Sequence, residues 1–193
     1  MLDDIVMYSE SVFGVDSSNS SKTATSKDAL NKRRGRSEFF KECADIVVEK
    51  TDDVVTTTIT FNEGCEDRHG NTISGTIVRV KSVSEESKDR TVTITDFAIN
   101  GYLVNGTKVY NYMSSNDNGN PEITGSIEMT IETEAGTKTK IGTRTIEITA
   151  GGDTDTCKDD EKTISGSSVF TNAEGLSRTV TITTPLVKPA DCR

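Results

Sequence analysis

The chain has no tryptophan and only one histidine among its 193 residues, and aromatic side chains make up 5% of it. A core built from this sequence must therefore rest on Val, Ile and Leu, with a few Phe and Tyr. With one histidine, any Ser-His-Asp or Cys-His arrangement would have to use His69. His69 sits in Glu66-Asp67-Arg68-His69-Gly70-Asn71, which reads as a polar surface turn. No Cys-x-x-Cys spacing is present, which argues against a zinc site. No Gly-rich loop opens a helix, so the sequence offers no phosphate cradle of that kind and implies no cofactor. No run approaches the roughly 20 apolar residues of a membrane-spanning helix. The start, Met1-Leu2-Asp3-Asp4, lacks the basic and apolar regions of a signal peptide. That fits either a cytosolic protein or an exported one whose signal has been removed.

Positive charge is also in short supply. The formal net charge is −9, and the basic residues are dispersed without aromatic interleaving. This argues against nucleic acid and against non-specific attraction to anionic membranes.

What the sequence does have is a hairpin written three times. Ile73-Ser74-Gly75-Thr76 leads to Arg90-Thr91-Val92-Thr93-Ile94-Thr95. Ile123-Thr124-Gly125-Ser126 leads to Arg144-Thr145-Ile146-Glu147-Ile148-Thr149. Ile164-Ser165-Gly166-Ser167 leads to Arg178-Thr179-Val180-Thr181-Ile182-Thr183. Each copy is a strand with an early glycine, a polar turn and an alternating return strand. The related hairpins span 73–95, 123–149 and 164–183. Further strands are predicted over 44–49 and 54–61, around Lys50-Thr51-Asp52-Asp53, and over 98–104 and 107–113, around Asn105-Gly106.

Consecutive strands joined by short turns pair antiparallel. The expected fold class is all-β: a meander of about nine to eleven strands with one apolar and one Thr-rich face. A single sheet would leave the Ile/Val face wet, so a sandwich or partly closed barrel is expected over residues 37–193. Residues 1–36 differ. They hold a short apolar cluster (Ile5, Val6, Met7, Tyr8, Val12, Phe13), then a Ser/Thr-rich stretch, then Lys32-Arg33-Arg34-Gly35-Arg36. Such a composition reads as a disordered leader whose basic end is a solvated linker.

Four cysteines remain. Hairpin register places Cys43 near Cys65, and Cys157 near the region of Cys192, each pair at the open end of a hairpin. This favours two disulfides over free thiols, and disulfides imply an oxidising compartment. Acidic loops offer hard oxygen ligands: Asp153, Asp155 and Asp159, with Asp160 and Glu161, and separately Asn116-Asp117-Asn118-Gly119-Asn120 with Glu122. These are weak calcium candidates, since neither has EF-hand spacing and both fall where turns are expected. The Thr rows resemble those of ice-binding sheets, but Glu147 interrupts them and Thr is a good polar strand former. Glu128 and Glu147, on neighbouring strands, are the pair a glycoside-cleaving enzyme would need.

The stretch Thr58-Ile59-Thr60-Phe61-Asn62-Glu63-Gly64-Cys65-Glu66-Asp67-Arg68-His69-Gly70 resembles a motif of a cell-envelope lipoprotein family of Bacteroidetes-type bacteria. Asn105-Gly106-Thr107-Lys108-Val109 resembles that family's next hairpin, and Thr183-Thr184-Pro185-Leu186-Val187 with Cys192 resembles its later segment. The resemblance covers roughly residues 43–193. It implies an all-β fold and an exported location: outer-membrane-associated, periplasmic or at the cell surface. A lipid anchor would be the only tie to the membrane, and no lipid-attachment Cys precedes Cys43 in this chain. The family has no established activity. The expected function is thus a non-catalytic envelope module that binds an envelope protein, glycan or lipid, or plays a structural role. A hydrophobic-ligand or lipid carrier is the alternative, and a carbohydrate-active enzyme the rival.

Overall fold

The computed structural model describes residues 43–66, 70–83, 88–154 and 159–190. They form nine strands: β1 (Ala44–Lys50), β2 (Val54–Glu66), β3 (Thr72–Ser82), β4 (Arg90–Ile99), β5 (Tyr102–Met113), β6 (Glu122–Thr133), β7 (Gly136–Ala150), β8 (Glu161–Thr171) and β9 (Ser177–Lys188). The strands pair in sequence order in one antiparallel sheet. The meander of repeated hairpins is therefore what forms. It is open, because neither β1 nor β9 pairs with a second described strand.

Alternation decides the two faces. In β2, Thr57, Ile59 and Phe61 are buried, and the threonines between them are not. Ile59 pairs with Ile77, Ile77 with Ile94, Ile94 with Gly106, and Gly106 with Met129. This row runs through one apolar cluster that also holds Phe97, Val104 and Ile131. We call this the inner face; every strand residue that is buried lies on it. Phe61 and Phe97 meet edge to face, with ring centroids 5.7 Å apart. They stand on either side of Gly75, which pairs with Phe61 and has no side chain to separate the rings.

The three sequence repeats are not three copies of one geometry. Gly75 has φ +98° and lies at the register shift between β3 and β4. Gly166 has φ +148° and lies at the shift between β8 and β9. A Cβ at either would run into the neighbouring strand's backbone, so glycine is required there. Gly125 sits in regular ladders on both sides.

One turn differs from the expectation. Asn105-Gly106 does not separate two strands; it lies within β5. The hairpin turn is Asn100-Gly101, whose φ values of 50° and 81° suit a turn that needs positive φ twice. Gly106 serves packing instead, since a Cβ there would strike Glu128 and Met129 of β6. Asn105 Oδ1 accepts from the backbone N–H of Asp96 at 2.8 Å, within the β4 bulge.

Cys43 and Cys65 form the expected disulfide, with Cα atoms 5.2 Å apart. It ties the start of β1 to the end of β2. The Cys157–Cys192 pairing, His69 and the leader at 1–36 lie outside the described residues.

Candidate binding face and its groove

The register sorts the charges of the regularly paired positions between the two faces. Lys50, Arg79, Lys81 and Arg90 all stand on the inner face, because each pairs in line with an inner-face residue. The same holds for Lys108, Lys138, Lys140 and Arg144. Lys162, Arg178 and Lys188 complete the set, so every lysine and arginine within the nine strands points inward. Carboxylates do the opposite. Asp45, Glu49 and Glu66 lie on the outer face, as do Glu122, Glu128, Glu132, Glu147 and Glu161. The remaining strand acids, Glu63 and Asp96, sit at the irregularities of β2 and β4. A chain of net charge −9 thus carries one cationic sheet face.

The inner face has two ends. The apolar cluster occupies the end near the Cys43–Cys65 bridge. The other end is cationic, along the row Val55, Lys81, Arg90, Tyr110, Gly125, Arg144. Aromatic faces hold several of these charges. The Arg90 guanidinium lies 4.3 Å from the Tyr110 ring centre, and Lys140 Nζ lies 5.0 Å from that of Phe170. Burial, and then the charge of Arg90, pull Arg79 below the ordinary arginine pKa.

A groove of about 150 Å³ opens on this face between β5 and β8. Small residues make it. Gly125 leaves room for Tyr110 to lean over, and Gly142 leaves room for the Ser168 hydroxyl. Ile123, Ile127 and Ile146 supply apolar walls, while Lys108, Lys140 and Arg144 supply three cations. Among the described residues, no aspartate or glutamate lines it. Lys108 is only 1% exposed and Lys140 9%, whereas Arg144 is exposed.

The sites anticipated from sequence fall elsewhere. Asp159 accepts from Thr154 Oγ1 at 3.0 and 2.9 Å, Asp153 is exposed, and Asp155 lies outside the described residues. Among the described residues, no group of three or more His, Cys, Asp or Glu is placed to share a metal ion. In the 116–120 loop the amides turn onto a carboxylate: Asn116, Asn118 and Asn120 donate to Glu147 Oε1 at 3.1, 3.0 and 2.8 Å. These bonds hold Glu147 below the usual carboxylate range, with Asn120 the largest cause.

The Glu128–Glu147 pairing is corrected. Glu147 pairs with Glu122, and Glu128 is six residues further along β6. At strand rise this separates the two carboxylates by roughly 20 Å. That is beyond the roughly 5 to 9.5 Å of glycosidase pairs.

Sequence reasoning did not single out Lys108, Lys140 or Arg144. The signal was present in part, because within β1, β7 and β8 cations and acids occupy opposite alternation phases. Comparison with family models, with curated proteins and with solved structures finds no match for this chain.

Proposed function

We propose that this protein is an exported, non-catalytic binding module of the cell envelope, and that it binds through the inner face of its sheet. The observation that carries this reading is the charge sorting: one face collects every strand cation and opens a small-residue groove among them. Ionic side chains placed against apolar surface are costly, so a regular array of them suits recognition better than packing. The Cys43–Cys65 bridge supports an oxidising compartment, hence export. The groove's volume of about 150 Å³ suits a small group. It is below the roughly 300 to 1,000 Å³ of pockets that engulf whole drug-sized ligands, which speaks against a carrier that swallows a lipid.

The test is a ligand screen by amide chemical-shift mapping on uniformly labelled, disulfide-intact protein, with charged and neutral glycans and lipid headgroups. Saturable shifts confined to the inner face of β5–β8 are the expected result. A screen in which ligands perturb only the outer face, or nothing, would remove the reading.

A further inference from the structure

The repeat shows what β9 lacks. Arg90-Thr91-Val92-Thr93-Ile94-Thr95 of β4 and Arg144-Thr145-Ile146-Glu147-Ile148-Thr149 of β7 each have a strand on both sides. Their inner-face residues Val92, Ile94, Ile146 and Ile148 are 5%, 2%, 6% and 5% exposed. The third copy, Arg178-Thr179-Val180-Thr181-Ile182-Thr183, lies in β9, which among the described residues pairs with β8 alone. There Val180 is 45% exposed and Ile182 is half-buried. β9 thus has the sequence of a covered strand without the cover, and the free side of such a strand presents backbone donors and acceptors.

The two edges of the sheet are not alike. β1 exposes Ile46, Val47 and Val48, but Asp45 and Glu49 bracket them. If two copies of β1 met antiparallel about Val47, the middle of the strand, Asp45 of each would stand opposite Glu49 of the other, and like charges so placed repel. β9 holds no acid, and its two charges, Arg178 and Lys188, fall outside 179–184. Arg178 is turned onto its own sheet, 5.8 Å from the Phe170 ring centre. β9 starts at Ser177, and Pro185, with no N–H to give, ends the run of donors. The middle of that run is Thr181. An antiparallel copy centred there sets Val180 against Ile182 on the inner face, and Thr181 against Thr181 and Thr179 against Thr183 on the outer face. Pairs of the same kinds hold within the sheet, where Ile146 faces Ile164 and Thr93 faces Thr107.

We propose that β9 is the contact strand of a two-fold dimer, pairing antiparallel with β9 of a second copy about Thr181. The contact is self-complementary and closes at two copies. Directly paired residues point to the same side of a sheet, so both inner faces look the same way from one continuous sheet. Two faces presented together engage a multivalent surface more tightly than one. The proposal does not depend on what the inner face binds.

A single short ladder lies at the small end of interface sizes, so the dissociation constant is expected on the order of 10 to 100 μM. Unfolding midpoints measured well below it report the monomer. Sedimentation velocity of the disulfide-intact chain, over concentrations that span this value, should show a monomer–dimer equilibrium. Amide exchange should slow with concentration in 178–184 and not in β1. Thr181 is exposed, and Thr181→Lys or Thr181→Glu places like charges opposite one another across the two-fold. Each variant alone should dimerise about tenfold more weakly or worse, and an equimolar mixture should recover the parent's affinity. Recovery in the mixture cannot come from unfolded chains, so the test holds even if one variant is less stable. A monomer at every concentration would overturn the proposal, and protected 178–184 amides in that monomer would place another segment of the same chain on the edge. Species growing beyond the dimer would overturn it in favour of β9 against β1 of the next copy, which does not close. A dimer unchanged by both Thr181 variants would put the contact elsewhere and overturn it too.

Discussion

Glu122 and Glu147 stand directly opposite one another on β6 and β7, and Asn116 Nδ2 donates to both, at 3.0 and 3.1 Å. Two like charges at paired positions repel. The loop that follows β5 folds back to offset this, with its three asparagine amides aimed at the pair. Asn116 Oδ1 in turn accepts from the backbone N–H groups of Asn118 and Asn120, at 2.9 and 3.0 Å.

Because Glu147 is held below its ordinary pKa, its stabilising contribution is complete above the unfolded value and is lost as pH falls through the folded one. Unfolding midpoints in urea should therefore fall between about pH 4.3 and more acidic conditions. In Glu147→Gln that part of the slope should be missing. Asn120→Ala should shrink it further than Asn118→Ala, following the order of causes. An identical acid limb in Glu147→Gln and the parent would refute this account.

The Cys43–Cys65 bridge joins residues 22 apart in sequence. In the chain-entropy picture it contributes about 3 kcal/mol. Reduction should lower the melting temperature while the far-UV strand signature at low temperature persists. Thiol titration under denaturing conditions, before and after reduction, checks that the bridge exists.

Alanine at the repeated glycine should act unequally in the three hairpins. Gly75→Ala places a Cβ against Asp96 and Phe97 at positive φ, and should cost roughly 2 to 4 kcal/mol. Gly166→Ala meets Thr143 and Arg144 and belongs with it. At Gly125 the nearest atom is the Tyr110 ring at 3.2 Å, with an ordinary backbone, so the change should stay within about 1 kcal/mol. Chemical denaturation of the three variants gives the comparison, and equal losses would show that the bulges carry no special strain.

β9 is an edge strand with Val180 45% and Leu186 57% exposed, and its stretch 179–184 carries no charge. Such an edge invites pairing with another chain, and a lysine is a natural protection against it. Val180→Lys should lengthen the lag of thioflavin-positive aggregation without lowering the unfolding midpoint. A shortened lag would point to a different aggregating segment.

How far the sequence could be read follows from which signals are local. The strict alternation of 54–61 and the three Ile-x-Gly hairpins led to the meander, because a period of two needs no tertiary knowledge. The Asn105-Gly106 turn failed because Asn100-Gly101, nearby, competes for the same role. Local propensity does not tell which glycine faces a crowded neighbour such as Met129. The acid pair Glu128–Glu147 failed for a related reason: adjacency of strands does not give the position along them. The groove was out of reach for separate residues, since Lys108, Arg144 and Ser168 meet only once the registers of β5 through β8 are known.

The sorting of charge also bears on how the strands find their partners. Sliding any strand by one residue turns all of its side chains to the opposite side. For β6, such a slip would put Glu128 and Glu132 where Ile127 and Ile131 now pack. Two carboxylates would enter the apolar interior, and Ile123, Ile127 and Ile131 would be left in water. In β7 the same error would expel Lys138, Lys140 and Arg144 and admit Glu147. Mispaired sheets are thus penalised twice by solvation, once for apolar side chains exposed and once for ionised ones buried. In a meander this rich in interchangeable Thr, Val and Ile, the second penalty acts as a proofreading device for assembly.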